Sequence, residues 1–263
     1  MSEIAVQVRG LHKSFGGVKA VHNVSFEARL GQVVAIIGPN GAGKTTLFNV
    51  ISGVFTPDAG EVWLNGHRLD GLPPHQVARL GVARTFQNVQ LFANMTVLDN
   101  VKMGRYRHER TSLMAAALGL TNREELQTHQ AAMHRLERVG LAKKADLLAS
   151  SLPLGEQRLL ELARALATEP RLLLLDEPTA GLNAVEKVRL GATIGRIQAN
   201  TVTVLLVEHD MNTVMSVADW GVVLDYGEKL AEGHPEEIQN NPRVIEAYLG
   251  QATVNEGRNR AEN

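Results

Sequence analysis

A glycine-rich loop between a predicted strand and a predicted helix constrains the fold of this chain more than any other feature. The run Gln32–Ile37 is mostly apolar and β-branched, which is typical of a strand buried on both faces. Apolar residues with helical spacing follow at Leu47, Val50, Ile51 and Val54. The loop fits the pattern G-x-x-x-x-G-K-[ST] and consists of Gly38, Pro39, Asn40, Gly41, Ala42, Gly43, Lys44 and Thr45, followed by Thr46. Because glycines allow backbone N–H groups to surround phosphate oxygens, we expect a phosphate-binding loop.

Charged and hydroxyl side chains near this loop indicate nucleotide chemistry. Lys44 is expected to pair with the β- and γ-phosphates, and the Thr45 hydroxyl suits Mg²⁺. The apolar run Leu172–Leu175 ends in Asp176, expected to hold Mg²⁺ through water, and Glu177, expected to activate the attacking water. A chance glycine-rich turn and a strand ending in solvated acids are the simpler alternatives. The two patterns together favour a P-loop NTPase that uses ATP and Mg²⁺.

The rest of the chain predicts an α/β fold, with a P-loop NTPase (RecA-like) core, an N-terminal antiparallel β subdomain and an inserted α-helical subdomain. The pair Asn65-Gly66 is a hairpin signal within the first subdomain. Residues 94–150 have helical spacing and no clear strand, and they form the predicted insertion. Further strands are expected at Arg171–Leu175, Val202–Val207 and Gly221–Leu224, with helices between them, as in a parallel sheet.

Composition and charge exclude several classes of function. The 263 residues include 27 Lys and Arg and 28 Asp and Glu, a net charge of −1, so we expect no nucleic-acid partner. The absence of cysteine excludes disulfides, thiolate metal sites and cysteine nucleophiles. Residues 1–10 do not resemble a signal peptide, and no apolar run approaches the roughly 18 residues of a membrane span. If the protein serves a membrane process, we expect another chain to cross the bilayer.

Further motifs narrow the interpretation, and their order resembles the ABC ATPase family over residues 4–250. A signature-like segment precedes an amphipathic helix and consists of Leu152, Pro153, Leu154, Gly155, Glu156 and Gln157, followed by Arg158. Gln87 lies between the glycine-rich loop and the helical insertion, and His209 follows a predicted strand. A D-loop match follows the acidic pair and consists of Ala180, Gly181, Leu182 and Asn183. The full ordered set is far more specific than the glycine-rich loop alone.

The resemblance implies a domain organisation and roles for the matched residues. It implies an ABC ATPase domain at 1–250, with core and β subdomain at 1–92 and 160–250, a helical subdomain at about 93–159, and a polar tail at 251–263. Gln87 would contact Mg²⁺ or the attacking water, and His209 would reach the γ-phosphate. Phe15 would stack on adenine, although a core or turn phenylalanine explains it equally well.

Two positions depart from the family pattern. The signature usually has serine where Pro153 stands and glycine where Leu154 stands. Proline has neither an N–H nor a hydroxyl group, so one contact to the ATP of the other subunit is lost, while Gly155 and the helix N-terminus still offer N–H groups. Asn183 replaces the usual aspartate, which keeps the hydrogen-bonding size and removes the charge.

With these departures, the run Val207–Met211 and the ending Asn241–Gly250, the chain resembles the ATP-binding subunits of branched-chain (hydrophobic) amino acid importers. The long helical stretch Val97–Gly140 resembles the longer of the two types. The resemblance implies a second ABC ATPase subunit, in a homodimer or heterodimer, with ATP between the two. It also implies transmembrane permease subunits, a substrate-binding protein and a peripheral location on the cytoplasmic face of the inner membrane. Val89, Leu91 and Phe92 would line the groove for a permease helix, with core packing as the alternative. Urea uptake, lipopolysaccharide export, a soluble ABC ATPase, a regulatory ATP-binding module and a P-loop kinase are the rival functions.

Overall fold

The computed structural model describes residues 3–105, 122–198 and 202–248, which form two β-sheets flanked by helices. The strands are β1 (Ile4–Phe15), β2 (Val18–Arg29), β3 (Val33–Ile37), β4 (Ala59–Leu64), β5 (His67–Arg68), β6 (Val82–Arg84), β7 (Leu172–Asp176), β8 (Thr203–Val207), β9 (Trp220–Asp225) and β10 (Glu228–Gly233). The helices are α1 (Lys44–Ile51), α2 (Pro74–Arg79), α3 (Val97–Arg105), α4 (Asn122–Val139), α5 (Leu154–Ala167), α6 (Ala184–Gln198), α7 (Met211–Val217), α8 (Pro235–Gln239) and α9 (242–248). Short 3₁₀ turns lie at Ala142–Lys144 and Ala149–Ser151.

The six-stranded sheet confirms the predicted α/β fold. Its strand order is β10-β9-β3-β8-β7-β6, and all neighbouring pairs are parallel except β9 with β10. The three strands predicted in the second half of the chain are β7, β8 and β9, each within one residue of the predicted ends. Both faces of the central strands are covered, which explains why their sequences are continuous apolar runs rather than alternating ones.

Strand β7 shows how one apolar run serves two cores. Leu172 and Leu174 pack into the core shared with the antiparallel sheet and α1. Leu173 and Leu175 point to the opposite face, into the core formed with α3, α4, α5 and α6. Because successive side chains point to opposite faces and both faces of β7 are buried, every residue of the run before Asp176 is apolar. Full burial of each leucine contributes roughly 1.5–3 kcal/mol.

The smaller sheet is antiparallel, with the strand order β2-β1-β4-β5. The predicted hairpin at Asn65-Gly66 is confirmed, because β4 and β5 pair directly across these two residues. Their φ values are 47° and 78°, the left-handed pair that a type I′ turn requires. This sheet carries Phe15 to the tip of the β1–β2 hairpin.

The predicted helical insertion contains α3, α4 and the start of α5, and residues 106–121 of it lie outside the described residues. Helix α5 continues without a break from Leu154 to Ala167, so the expected boundary between residues 159 and 160 falls inside one helix. Among the described residues, no helix has both the length and the apolar character that a membrane crossing requires.

Helix α1 ends earlier than the apolar spacing predicted. Leu47, Val50 and Ile51 are buried as expected, but the helix stops at Ile51, and Val54 lies beyond it with 51% of its surface exposed. Gly53 follows in the left-handed region, at φ 76°, close against the carbonyl oxygen of Leu72. The close contact with another segment sets this turn, so the helical spacing alone extended the prediction one turn too far.

Candidate nucleotide-binding site

Two glycines of the loop between β3 and α1 hold it against neighbouring strands. Gly38 has φ 147°, and a Cβ there would collide with the carbonyl oxygen of Leu224. Gly43 has φ 99°, and a Cβ there would collide with the carbonyl oxygen of Ala20. Both positions combine a backbone region that favours glycine with no space for a side chain. The loop shape is therefore set by packing before any ligand is present.

Lys44 is the first residue of α1, and its side chain folds back over the loop. Its Nζ donates hydrogen bonds to the carbonyl oxygens of Gly38, at 2.5 Å, and Pro39, at 2.8 Å. Burial lowers the pKa of Lys44, and the nearby carboxylates of Glu177 and Asp176 act in the opposite direction. An anion at the N-terminus of α1 would therefore lie beside a buried ammonium group.

The remaining residues of the loop differ in solvent exposure. Ala42 is buried and Thr46 is partly buried, whereas Asn40, Gly41 and Thr45 are exposed.

The structure brings Gln87, Glu177 and His209 together at the carboxyl end of β7. Gln87 Nε2 donates to Glu177 Oε2 at 3.0 Å, and His209 Nδ1 lies 3.8 Å from the same oxygen. The backbone of Glu177 has φ 45°, an unusual conformation for a residue with a side chain, and its N–H group donates to the carbonyl oxygen of Val207. Strain of this kind is concentrated at functional sites, and here it turns the carboxylate toward Gln87 and His209.

A buried carboxylate that sequence reasoning missed connects this group to the next loop. Glu208 is fully buried, and its Oε1 accepts hydrogen bonds from the Thr179 hydroxyl at 2.6 Å and the Thr179 N–H group at 3.1 Å. Its Oε2 accepts a hydrogen bond from the N–H group of His209 at 3.3 Å. Glu208 therefore fixes the backbone of His209 relative to the segment after Glu177. Its position directly before His209 was visible in the sequence, but its burial was not.

Two buried arginines at the site were also missed. Arg84, the last residue of β6, forms an ion pair with Asp176 at 2.8 Å. Arg158 of α5 donates to the backbone carbonyl oxygens of Phe86, at 3.1 Å, and Gln87, at 2.5 Å. No motif distinguishes Arg84 from the other Lys and Arg residues, which number 27 in total. Arg158 is recognisable only as the residue that follows the signature-like segment.

Glu161 adds a third contact between α5 and the segment that carries Gln87. Its Oε1 accepts a hydrogen bond from the N–H group of Gln90 at 3.2 Å, and its Oε2 lies 3.5 Å from Arg158 Nη1. Burial raises the pKa of Glu161, with 2% of the side chain exposed. Helix α5 therefore holds three backbone groups of this segment by side chains one turn apart.

The signature-like segment lies at the start of α5 and packs against α6. Pro153 is the residue before the helix, and its carbonyl oxygen accepts from the N–H groups of Glu156 and Gln157. Gly155 lies against the carboxylate of Glu186, where a Cβ would have too little space. Leu154 is exposed, and Leu152 is buried.

The D-loop match caps helix α6. The Asn183 N–H group donates to Glu186 Oε2, and the Glu186 N–H group donates to Asn183 Oδ1, both at 3.0 Å. This reciprocal pair satisfies two N–H groups at the helix start. Leu182 is buried, Ala180 is partly buried, and Gly181 is exposed. Asn183 needs only its amide oxygen for this contact, so the missing charge does not disturb the local structure.

Phe15 lies at the tip of the β1–β2 hairpin with 43% of its surface exposed. Its ring meets Phe55 edge to face at a centroid distance of 5.1 Å, and Lys13 Nζ lies 5.3 Å from the ring centre. The ring is thus only partly packed. The adenine-stacking role stays a prediction.

The donor set at the site fits Mg²⁺ only in combination with phosphate oxygens. The three residues predicted to hold Mg²⁺ offer the oxygens of the Thr45 hydroxyl, the Gln87 amide and the Asp176 carboxylate. In the described part of the chain, no cluster of three or more His, Cys, Asp or Glu side chains is arranged to hold a metal ion. Mg²⁺ is typically bound through one or two carboxylates plus substrate phosphates rather than in a complete protein cage.

Comparisons with known proteins agree with this geometry. The profile of the family "ABC transporter" matches residues 21–180, and that of "Branched-chain amino acid ATP-binding cassette transporter" matches residues 228–253. The chain is 47% identical over 255 residues to the high-affinity branched-chain amino acid transport ATP-binding protein BraF of Pseudomonas aeruginosa. The alignment covers 96% of this chain and 100% of BraF.

Solved structures show the same fold. The ADP conformation of MJ1267, an ATP-binding cassette of an ABC transporter, superposes with a TM-score of 0.83 at 31% identity, over 95% of this chain and 100% of that one. The dimeric post-hydrolysis state of the cassette MJ0796, bound to ADP and Pi, gives a TM-score of 0.73 at 25% identity, over 88% of this chain and 98% of that one. The chain therefore belongs to the ABC transporter family and is one of its ATP-binding, ATP-hydrolysing members.

Proposed function

We propose that this protein supplies the energy for import of branched-chain amino acids by hydrolysing ATP on behalf of membrane subunits. The observation that carries the proposal is the 47% identity to BraF along the entire length of that relative. The match of residues 228–253 to the branched-chain profile supports the same substrate class. These similarities do not favour urea uptake, lipopolysaccharide export or a soluble ATPase.

The proposed reaction places the triphosphate along the loop at 38–45. Lys44 leaves its carbonyl partners to pair with the β- and γ-phosphates, and the N-terminus of α1 adds backbone N–H groups. Thr45, Asp176 and Gln87 would hold Mg²⁺ together with phosphate oxygens, and the ion would neutralise charge on the phosphates. The site chemistry then depends on a water molecule beside the γ-phosphate.

Glu177 is the proposed base that orients and deprotonates this water. Gln87 donates a hydrogen bond to Glu177 Oε2 and so orients the carboxylate before the nucleotide arrives, and His209 lies 3.8 Å from the same oxygen. His209 is 58% exposed at its side chain, which leaves it free to reach a γ-phosphate. Preorganised groups of this kind cost little rearrangement during the reaction.

A second ATPase subunit, identical or closely related, would complete each site. The dimeric state of the related cassette MJ0796, bound to ADP and Pi, supports a role of the signature-like segment across a dimer interface. Gly155 and the N-terminal N–H groups of α5 would face the phosphates of the partner's ATP. Pro153 contributes no hydroxyl group and no N–H group to this contact.

The membrane partners would dock beside the segment that carries Gln87. Leu91 packs against the helical core, whereas Phe86, Phe92 and Met95 are exposed, at 48%, 45% and 37%. Exposed apolar side chains grouped in this way are typical of a protein contact surface. The permease subunits would place this protein at the cytoplasmic face of the membrane, and a substrate-binding protein would select the amino acid.

Co-purification from membranes tests this proposal. Glu177→Gln, which keeps the shape and removes the base, serves as bait with ATP present, and the same bait without ATP is the control. We expect two hydrophobic permease subunits and a sibling ATPase, and leucine uptake that depends on this chain. Recovery of soluble partners only, from a bait that binds ATP, would overturn the transport assignment and leave the ATPase chemistry intact.

A further inference from the structure

We infer that Arg84 is a positioning residue for the magnesium site, because it holds the Asp176 carboxylate in one orientation. The inference rests on the proposed function, in which Asp176 serves Mg²⁺. Arg84 is the last residue of β6, and Asp176 is the last residue of the neighbouring parallel strand β7. The two side chains therefore leave the same edge of the sheet, where ligands bind in α/β proteins.

The guanidinium group of Arg84 is fixed by three anchors on two elements. Nη2 donates to Asp176 Oδ2 at 2.8 Å, and Nη1 donates to Asn49 Oδ1 at 2.7 Å and to Ser52 Oγ at 3.1 Å. Asn49 lies on α1, and Ser52 is the first residue after this helix. Arg84 therefore connects the acidic end of β7 to the helix that begins at Lys44.

Aromatic rings and burial restrict the same group further. The guanidinium carbon lies 5.3 Å from the ring centre of Phe86 and 5.8 Å from that of Phe48. Only 9% of the Arg84 side chain and 9% of the Asp176 side chain are exposed. A planar group with directed donors in such surroundings has little freedom, and the pair is screened little by solvent.

The ion pair uses one oxygen of Asp176, Oδ2, and leaves Oδ1 for another partner. Arg84 can influence a magnesium ion in two opposite ways. Its charge repels the cation and weakens binding, whereas its fixed geometry points Oδ1 in a constant direction and strengthens binding. We argue that orientation dominates, because an unanchored carboxylate at the end of a strand would rotate, and groups that orient metal ligands typically contribute about 10- to 100-fold to metal affinity.

Variants at Arg84 separate these effects. Arg84→Lys keeps the charge but cannot reach Asp176, Asn49 and Ser52 at once, and Arg84→Met removes the charge. Asn49→Ala removes one anchor and leaves the ion pair available, so it tests the same idea with little risk to folding. Arg68→Lys is the matched control, since Arg68 forms a 2.8 Å ion pair with Asp70 at the surface, far more exposed at 52%.

The measurement is the binding of a fluorescent ADP analogue (mant-ADP) as Mg²⁺ is titrated, with EDTA as the metal-free reference. We expect the Mg²⁺ concentration that produces half of the change in mant-ADP binding to rise about tenfold or more in both Arg84 variants. In Asn49→Ala this concentration should also rise, but less. Affinity in EDTA should change little, because the nucleotide contacts remain. Arg68→Lys should match the wild type.

Several outcomes would overturn the inference. A lower Mg²⁺ requirement in Arg84→Met with no change in Arg84→Lys would show that charge repulsion dominates. Equal loss of affinity with and without Mg²⁺ would show a purely structural role, and an unchanged Asn49→Ala would show that the anchors do not act on the metal. If the wild type binds no mant-ADP at all, the proposed nucleotide site itself fails, which is distinguishable from a failure at Arg84.

Discussion

Replacing Arg158 by methionine is expected to reduce both the stability and the turnover of the protein, and a second substitution separates the two effects. Arg158 donates to the carbonyl oxygens of Phe86 and Gln87 and lies beside the carboxylate of Glu161. The two contacts with carbonyl oxygens connect α5 to the segment that carries Gln87, and the contact with Glu161 lies within α5. Because the pair is almost fully buried, solvent cannot replace a partner that is removed.

The magnitude follows from these contacts. Two hydrogen bonds from a charged donor contribute about 1.5–3 kcal/mol each, and part of this is regained when methionine buries its apolar chain. Glu161, whose side chain is 2% exposed, loses the cation at 3.5 Å and keeps only the weaker influence of Arg164, so it is expected to take up a proton or to move. Breaking a buried pair in this way typically costs about 3–5 kcal/mol, which is our expectation for Arg158→Met.

The double variant Arg158→Met with Glu161→Leu provides the decisive comparison. It replaces the buried pair by apolar side chains, so the part of the lost unfolding free energy that comes from the Glu161 carboxylate should return, whereas the part that comes from the backbone groups of Phe86, Gln87 and Gln90 should not. Turnover should not return, because the carbonyl oxygens of Phe86 and Gln87 still lack their donor. Urea unfolding and phosphate release measure the two quantities. A single variant within about 1 kcal/mol of the wild type, or a double variant with wild-type turnover, would refute this reasoning.

Three further substitutions test other parts of the site. Lys44→Ala should weaken ATP binding by about 10- to 100-fold, since a charged contact of about 1.5–3 kcal/mol is lost, and unchanged affinity in a fluorescence titration would contradict the loop assignment. Gly38→Ala should lower the thermal unfolding midpoint and cost about 2 kcal/mol or more, because the added Cβ meets the Leu224 carbonyl, and an equal midpoint would argue against the φ of 147°. The hydrogen bond from Lys187 holds the pKa of Asp210 below its usual value, so this carboxylate stabilises the fold at neutral pH and loses its effect as the pH falls through that lowered pKa. The difference in thermal unfolding midpoint between the wild type and Asp210→Asn should therefore disappear at acidic pH. A difference that does not change with pH would show that the charge of Asp210 is not its cause.

Local patterns in the sequence were sufficient to predict four strands of the six-stranded sheet, β3, β7, β8 and β9, and the glycine-rich loop. Strand β7 could be found from Leu172–Leu175 because a strand covered on both faces must be apolar at every position. The turn at Asn65-Gly66 could be found because only a few residue types adopt its backbone conformation at low cost. In both cases the deciding interaction lies within a few residues of the chain.

Contacts between distant segments could not be predicted in this way. Arg84 lies 92 residues from Asp176, and Arg158 lies 71 residues from Gln87, so no spacing rule connects them. The same limit explains the error at Val54, where packing of Gly53 against another segment ended the helix. Buried ion pairs at the site are thus properties of the folded structure, although each of their members is visible in the sequence.

The most direct test of the central claim compares ATP binding and ATP hydrolysis in the wild type and in Glu177→Gln. The claim is that Glu177, oriented by the hydrogen bond from Gln87, activates the attacking water. We expect Glu177→Gln to bind ATP as tightly as the wild type and to release phosphate at least about 100-fold more slowly. Hydrolysis by Glu177→Gln at the wild-type rate would contradict the claim.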